Sequence, residues 1–341
     1  MAKNYLPEQH PEIIFKTGVL ILNLGTPEGY DYFSVRKYLK EFLSDQRVIE
    51  VNPLLWKVIL HSFILPFRPF ATGKKYKEIW FNQENASPLK YYTKSQAEKL
   101  QIKLNKKHPE LVVDYAMRYG KPSIESKIKE LQEKGCKKII FIPLYPQYCA
   151  ATTATICDEI YRVISKIRWQ PKIKIADHYP DNKVYLTALA TSIKTHLKEI
   201  DFKPDAILSS YHGIPKIYFE KGDPYPCYCR KTHRLLNDEL KKQKIKLENH
   251  LSFQSRFGPK EWIKPYTEDV LKELIAKGVK NLIVITPGFA ADCIETLEEV
   301  DMEYRELFLS LGGEKFSHIP CLNDSDDSIK LIENLVEENL I

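Results

Sequence analysis

The chain has 341 residues and a net charge of +6, with 51 lysines and arginines against 45 aspartates and glutamates. This mild, scattered positive excess argues against a dedicated nucleic-acid binder. Seven cysteines, an odd number without regular spacing, argue against a disulfide framework and for a reducing, cytoplasmic setting. Because single cores seldom grow beyond about 250 residues, the length predicts about two domains.

Short runs rich in Val, Ile and Leu alternate with amphipathic segments along the chain, which is typical of buried parallel strands and helices. The predicted strands are 18–23, 111–117, 138–144, 173–177, 206–210, 251–254 and 281–285. This β-then-α order predicts an α/β protein with doubly wound domains.

The sequence also repeats itself. KELQEKGCKKIIFI at 129–142 resembles KELIAKGVKNLIVI at 272–285, each a predicted helix that ends at glycine and is followed by a strand. Two shorter echoes pair Arg-Tyr-Gly at 118–120 with Arg-Phe-Gly at 256–258, and Gly-Thr-Pro at 25–27 with Gly-Ile-Pro at 213–215. The repeats favour two related halves, although α/β units also resemble one another for physical reasons alone. Ligands of such sheets bind beyond the carboxyl ends of the strands.

His212 is the first candidate at a strand end. It follows the predicted strand 206–210, and Gly213 and Pro215 then favour a turn. An imidazole at the carboxyl edge of a sheet can accept a proton near neutral pH or coordinate a divalent metal. A histidine that only caps a loop is the simpler alternative.

An acidic segment, 286–304, follows the predicted strand 281–285 directly. Its six carboxylates lie within the twelve positions 292–303. Glu295 and Glu299 are four residues apart and share a helix face, with Asp292 three residues before Glu295. Like charges at this spacing repel unless a cation or protons lie between them. The segment is therefore a candidate for metal or proton handling, and a solvated surface helix is the alternative.

The sequence resembles the ferrochelatase family in nine segments, which span nearly the whole chain in the family's order. They are LILNLGTPE (20–28), SVRKYLKEFLSD (34–45), KYKEIW (75–80), NASPLKYYT (85–93), IPLYPQY (142–148), SYHGIP (210–215), KGDPY (221–225), FQSRFGPKEWIKP (253–265) and CIETLEE (293–299). The resemblance implies two Rossmann-like domains, each a parallel sheet flanked by helices, with the active-site cleft between them. It implies an enzyme that inserts Fe²⁺ into protoporphyrin IX to form haem with release of two protons.

The resemblance also implies roles for particular residues. His212 and Glu295 are implied to be the catalytic and metal-binding pair, and Asp292 and Glu299 to support them in a proton or metal relay. The implied porphyrin-binding residues are Leu24, Tyr76, Arg118, Tyr145 and Trp262. Imidazole and carboxylates suit a site that must hold Fe²⁺ loosely and accept the two pyrrole protons. We expect Arg118 to bind a propionate, because a guanidinium pairs well with a carboxylate.

We expect a first domain over residues 1–165 and a second over 166–324, with a helix at 325–341 that packs back on the first. Residues 54–70 form a strongly apolar segment edged by Arg68, Lys74 and Lys75, which resembles the lip of the family's pocket. Such a patch would suit peripheral contact with the inner face of a membrane, and a buried core helix is the alternative. No stretch is long and uninterrupted enough to predict a membrane span.

We expect no tightly bound cofactor, with Fe²⁺ as a substrate. Cys293 stands where animal members of the family carry histidine, and the last forty residues contain Cys321 alone, so no [2Fe–2S] cluster is expected. Cys227, Cys229 and His233 fall short of a closed zinc site.

Several interpretations stay open on the sequence. The substrate can be protoporphyrin IX or coproporphyrin III. The protein can also be a related chelatase that inserts cobalt or nickel into another tetrapyrrole such as sirohydrochlorin, or a non-catalytic tetrapyrrole or metal carrier. The expected partners are a porphyrin and ferrous iron, with no nucleic acid.

Overall fold

The computed structural model describes residues 15–340, so residues 1–14 of the predicted first domain and Ile341 of the predicted last helix lie outside the described part. Eight strands form two separate sheets. They are β1 (Lys16–Gly25), β2 (Leu111–Tyr119), β3 (Cys136–Pro143), β4 (Lys172–Ile175), β5 (Ala206–His212), β6 (Glu248–Gln254), β7 (Asn281–Ile285) and β8 (Lys315–His318).

Both sheets are parallel and have the same strand order. The first sheet runs β2-β1-β3-β4 and the second β6-β5-β7-β8. The two sequence repeats occupy equivalent places, because each supplies a helix and then the third strand of its sheet. The predicted α/β class with two Rossmann-like domains is confirmed.

Helices cover both faces of the sheets and make the connections between parallel strands. The α-helices are α1 (Tyr32–Leu43), α2 (Pro53–Ile59), α3 (Leu65–Ile79), α4 (Pro88–Leu104), α5 (Ile124–Glu133), α6 (Thr155–Ile164), α7 (Lys183–Glu199), α8 (Lys216–Glu220), α9 (Tyr225–Lys242), α10 (Thr267–Ala276), α11 (Arg305–Ser310) and α12 (Asp326–Leu340). Three π-helices interrupt them: π1 (Leu60–Ile64), π2 (Ala150–Ala154) and π3 (Glu295–Tyr304).

Alternation along the strands divides the core into layers. In β1, Leu20 and Leu22 face the layer beneath α5 and α6, whereas Val19 and Ile21 face the opposite layer. That opposite layer also contains Ile207 of the second sheet, so the two units share one continuous core. The shared core fixes the carboxyl edges of the two sheets relative to each other.

The place where the first unit ends depends on which sheet β4 belongs to. Strand β4 pairs with β3, so a division after residue 165 would cut the first sheet, and we propose a boundary after β4. Helix α12 packs against α4, α7 and β3. Its Glu333 forms an ion pair with Lys107, with Oε1 2.7 Å from Nζ. The last helix therefore contacts the first unit.

Candidate active site

The predicted site residues lie mainly at the carboxyl ends of strands. Leu24 is the second-to-last residue of β1, and His212 is the last residue of β5. Tyr145 lies two residues beyond β3, and π3 follows β7. The exception is Tyr76, which belongs to α3 and is buried in the cluster formed by α1 and α3. The site thus draws on both units.

His212 is held by the backbone that follows it. The residue is half-buried, and its Nδ1 lies 2.6 Å from the carbonyl oxygen of Gly213. Because a carbonyl can only accept a hydrogen bond, Nδ1 must carry the proton in this contact. The other nitrogen, Nε2, then has a lone pair that can take a proton or bind a metal.

Trp262 lies beside His212. Their ring centroids are 6.5 Å apart, and the indole Nε1 donates to the carbonyl of Phe257 at 3.0 Å. Gly213 allows this approach, because a Cβ on it would lie 3.0 Å from Cε3 of Trp262. The indole is buried and forms one wall of the space next to the imidazole.

Glu299 is fixed by three donors from the second unit. Ser255 Oγ lies 2.6 Å and Gln254 Nε2 3.2 Å from its Oε2, while Tyr304 OH donates to Oε1 at 3.0 Å. Burial raises the pKa of Glu299, the bonds from Ser255 and Tyr304 and the charge of His212 oppose that rise, and the charge of Glu295 adds to it. Its net pKa is raised, so this carboxylate can hold a proton closer to neutral pH than a free one.

The position of Glu299 relates the two residues predicted to be catalytic. Its pKa responds to the charge of His212 and to that of Glu295, so all three groups share one electrostatic neighbourhood. In π3 the carboxylates of Glu295 and Glu299 are four residues apart, and Gln254 Nε2 also donates to the carbonyl of Glu295 at 2.9 Å. Helix π3 is therefore anchored to the end of β6, next to His212.

Glu295 faces the first unit. Burial raises the pKa of Tyr76, Tyr145 and Tyr38, and in each case the charge of Glu295 contributes to the rise. Burial also raises the pKa of the Cys293 thiol, which donates a hydrogen bond to Glu295. The Glu295 carboxylate is thus surrounded by neutral hydroxyls and a neutral thiol.

The wall from the first unit is built on Tyr145 and Leu24. The Tyr145 hydroxyl accepts a hydrogen bond from the Leu24 amide at 2.8 Å, which joins the loop after β3 to the end of β1. Both side chains are half-buried, so they have surface left to contact a ligand.

Asp292 has different surroundings from the other carboxylates. It is buried, and it accepts hydrogen bonds from Thr296 Oγ1 at 2.9 Å, from Asn323 Nδ2 at 2.6 Å and from the Cys321 amide at 3.3 Å. These bonds tie the start of π3 to the loop before α12. The contacts give Asp292 a place in that loop network, and none of them joins it to Glu295 or Glu299.

Arg118 is also engaged elsewhere. Its guanidinium donates to Asp45 at 2.6 Å and to the carbonyl and hydroxyl of Thr155 at 2.9 and 2.7 Å. Burial works to raise the pKa of Asp45, but hydrogen bonds from Thr155, Arg47 and Tyr119 and the charge of Arg118 hold it below its usual range. A propionate at Arg118 would have to compete with this carboxylate.

Several site residues were not singled out from the sequence. Gln254 and Ser255 come directly after a strand, so the rule that placed His212 could have found them. Tyr304 ends the acidic segment, but nothing in the sequence indicated that its hydroxyl meets Glu299. Tyr38 lies on α1, and its contact with the site depends on how α1 packs on α3.

Within residues 15–340 no cluster of three or more His, Cys, Asp or Glu side chains is arranged to hold a metal ion. Cys229 is fully buried, whereas Cys227 is exposed, so these two predicted zinc candidates point into different surroundings.

Comparisons with known proteins agree with the geometry. The family model named Ferrochelatase matches residues 16–340. The chain is 54% identical over 338 residues to a ferrochelatase of Allorhizobium ampelinum, covering 99% of this chain and 97% of the relative. It is 52% identical over 333 residues to a ferrochelatase of Francisella tularensis subsp. tularensis, covering 98% of each.

Solved structures share the fold at low sequence identity. SirB from Bacillus subtilis with Fe³⁺ superposes with a TM-score of 0.54 at 13% identity over 95% of each chain. The sirohydrochlorin chelatase SirB from Bacillus subtilis subspecies spizizenii in complex with cobalt gives a TM-score of 0.52 at 13% identity, again over 95% of each chain. Because the family model and the relatives cover nearly the whole chain, including the strand ends that carry His212 and π3, the chain belongs to the ferrochelatase family of enzymes, which insert ferrous iron into a porphyrin.

Proposed function

We propose that the enzyme inserts Fe²⁺ into protoporphyrin IX to form haem, with His212 and Glu295 as the catalytic, metal-handling pair. The observation that carries this assignment is geometric: Gln254, which lies opposite His212 in the β5–β6 pairing, donates to the Glu295 carbonyl at 2.9 Å and to the half-buried Glu299 carboxylate at 3.2 Å. It supports a continuous polar row from the imidazole at the end of β5 to the carboxylate that faces the tyrosines.

The reaction needs a base as much as it needs a metal ligand. A free-base porphyrin carries two pyrrole N–H protons, and both leave as Fe²⁺ enters the ring. His212 Nε2 is suited to one of these protons, since Nδ1 is engaged by Gly213. Glu299, with its raised pKa, is suited to pass protons along π3. The two roles of proton acceptor and Fe²⁺ ligand are shared between His212 and Glu295.

The remaining walls suit a flat apolar macrocycle. Leu24, Tyr145 and Tyr76 lie on the side of the first unit, and Trp262 lies beside His212. Aromatic and aliphatic walls with few polar anchors are typical of pockets for such ligands. We assign these four residues to the porphyrin pocket.

The number of anionic groups that the pocket can bind bears on the choice of porphyrin. Arg118, the propionate-binding residue that the resemblance implies, is already paired with Asp45. Arg68, on α3, is exposed and is a second candidate for a propionate. Because Arg118 is already paired, we favour protoporphyrin IX, with two propionates, over coproporphyrin III, with four.

An anaerobic assay with Fe²⁺ tests the assignment. The purified enzyme is given protoporphyrin IX, coproporphyrin III or sirohydrochlorin, and the metallated product is followed by absorbance. We expect the fastest turnover with protoporphyrin IX and its loss in both His212→Ala and Glu295→Gln. Faster turnover of coproporphyrin III would overturn the substrate, and full activity in either variant would remove that residue from the mechanism.

We also propose that the enzyme is cytoplasmic and touches a membrane surface through residues 54–70. These residues lie in the helical stretch 53–79, which we call the apolar lip. Leu54 is 79% exposed and Phe67 69% exposed, and the other exposed apolar side chains of the lip are Leu55, Val58, Phe63 and Phe70. By length and composition Pro53–Ile79 could also cross a membrane. Peripheral contact is better supported, because Leu60, Leu65 and Tyr76 are buried in the cluster with α1.

Flotation with anionic phospholipid vesicles tests this contact. Phe63→Asp with Phe67→Asp should abolish co-flotation, because it places charge on the apolar face. Ile102→Asp is a matched control, since Ile102 is an exposed apolar residue of α4, outside the lip. Equal flotation of both variants would contradict the proposal.

A further inference from the structure

One ion-pair cluster lies between the lip and the acidic helix and takes no part in the chemistry above. Lys75 Nζ on α3 lies 2.8 Å from Oε1 and 2.9 Å from Oε2 of Glu298, and 2.8 Å from Oε1 of Glu303. Both glutamates belong to π3. One ammonium thus joins the lip of the first unit to the catalytic helix of the second.

The π-helical geometry makes this double contact possible. Glu298 and Glu303 are five residues apart, and a π-helix bonds each residue to the one five positions on, so the two side chains leave the helix on the same side. Ile294 and Leu297 pack against the apolar cluster of α1 and α3, which brings this side of π3 towards the lip.

Burial gives the contact its strength. The Glu298 side chain is 8% exposed, and among residues 15–340 its carboxylate has Lys75 as its one ion-pair partner. A buried carboxylate without a partner is costly, so the pair should hold α3 in a fixed position on π3. Lys77, on the same helix, is exposed and makes no ion pair within the described residues.

Tyr76 follows Lys75 directly in the chain. It is buried in the apolar cluster against which Ile294, the neighbour of Glu295, and Leu297 pack. Any movement of α3 relative to π3 would therefore move this wall residue relative to the catalytic carboxylate.

We infer that Lys75 is a positioning residue: it fastens the apolar lip to π3 and so holds Tyr76, a wall residue of the proposed porphyrin pocket, in place beside Glu295 before the porphyrin arrives. This inference deepens the proposed function and rests on it for the role of Tyr76. It predicts that losing Lys75 weakens porphyrin binding, while the chemistry at His212 and Glu295 stays intact.

The test compares Lys75→Met with Lys77→Met, which removes the same charge from the same helix. For both variants we would measure hydrogen–deuterium exchange of the lip amides, and KM and kcat for protoporphyrin IX. Their melting temperatures are compared first, so that a general loss of stability is not mistaken for a local effect. We expect faster exchange in the lip and a porphyrin KM raised about fivefold for Lys75→Met, with kcat nearly unchanged. Lys77→Met should match the wild type, and Lys75→Arg should restore both readouts.

The double variant Lys75→Met with Glu298→Gln distinguishes two explanations of any defect. Either the lip is no longer held to π3, or the buried Glu298 carboxylate has been left without a partner. If Lys75 fastens the lip, the double variant keeps the fast exchange and the high KM, and wild-type values in it would overturn the inference. Wild-type exchange in Lys75→Met would overturn it as well. The exchange readout needs no turnover, so an enzyme inactive on every porphyrin would refute the proposed function and leave this test intact.

Discussion

The two halves of the molecule share one sheet topology and differ in the side chains at their strand ends. Leu24 and His212 are equivalent, because each directly precedes a Gly-x-Pro turn at the end of the first strand of its sheet. The first half places an aliphatic side chain there and the second half an imidazole. Ligands of such sheets bind at these strand ends, and under our proposal the half with the imidazole performs the chemistry.

The π-helices repeat this contrast. Each follows the third strand of its sheet, π2 after β3 and π3 after β7. The sequence of π2 is AATTA, without a charge, whereas π3 is ETLEEVDMEY. The two π-helices thus differ in charge: π2 is neutral, and π3 carries a row of carboxylates.

The largest effect should come from the equivalent pair at the strand ends. We expect His212→Ala to lower kcat by about 10²- to 10⁴-fold, because it removes a general base or metal ligand. Leu24→Ala should leave kcat close to the wild-type value and raise the porphyrin KM less than about tenfold, since it removes only wall contact. Anaerobic steady-state kinetics measure both. A comparable loss of kcat in Leu24→Ala would contradict the proposal that the second half performs the chemistry and the first half supplies only wall contacts.

The two turns should also differ in their tolerance of a side chain. Gly25 has a φ of +113°, and a Cβ on it would overlap the carbonyl oxygen of Tyr119 at the end of β2. A Cβ on Gly213 would lie 2.7 Å from the carbonyl oxygen of Gln254, without an unfavourable φ. We expect Gly25→Ala to cost about 2–4 kcal/mol of unfolding free energy and Gly213→Ala about 1 kcal/mol.

Urea unfolding followed by circular dichroism checks this order. Gly213→Ala should in addition lower activity, because its Cβ would push on Trp262 beside His212. Equal destabilisation of both variants would show that the two turns do not differ in strain.

Much of the fold could be predicted from the sequence, because buried parallel strands are continuous apolar runs. Strand β8 was missed since Lys315–His318, KFSH, has no such run and lies at the sheet edge. The boundary between the units was also hard to place. Strand β4 is short and half-polar, and only its pairing with β3 assigns it to the first sheet.

The site was predictable where a residue's position in the chain decides its place, and not where packing between elements does. His212 and the acidic segment come at or after the ends of predicted strands. The rule that ligands bind beyond the carboxyl ends of parallel strands therefore located them. The partners of Arg118, by contrast, come from α1's trailing loop and from α6, and the sequence does not show that Asp45 and Thr155 reach it. Tyr38 and Lys75 likewise act through helix contacts that no local pattern encodes.

The π-helices should differ in their influence on the pH profile. Ser255 donates to Glu299 and holds its pKa down, so Ser255→Ala should raise that pKa further and leave less carboxylate ionised below neutral pH. The acidic limb of kcat/KM should then move to higher pH, with a loss of about three- to tenfold near about pH 6. Thr153→Ala in π2 is the control, because its hydroxyl is buried without a partner. An unmoved profile in Ser255→Ala would exclude Glu299 from the titration that limits the rate.

The smallest effect concerns the echoed arginines, Arg118 and Arg256. Arg118 pairs with Asp45, whereas Arg256 lies over the ring of Tyr266 at 4.4 Å. The folded-state pKa of Asp45 is lowered, so its pairing stabilises the fold above the unfolded-state pKa, about 3.9, and this contribution is lost as pH falls through the folded-state value. We expect Arg118→Met to cost about 1 kcal/mol at neutral pH and progressively less in acid.

Arg256→Met should cost about 0.5 kcal/mol at every pH, since no carboxylate is involved. Urea midpoints between about pH 3 and about pH 7 separate the two variants, and the porphyrin KM of Arg118→Met adds a second readout. If that KM rises while the midpoints stay unchanged, Arg118 is free to bind a propionate and its pair with Asp45 is weak. If the midpoints fall and the KM does not change, Arg118 stabilises the fold and does not bind a propionate. Propionate binding is then left to Arg68 on the lip.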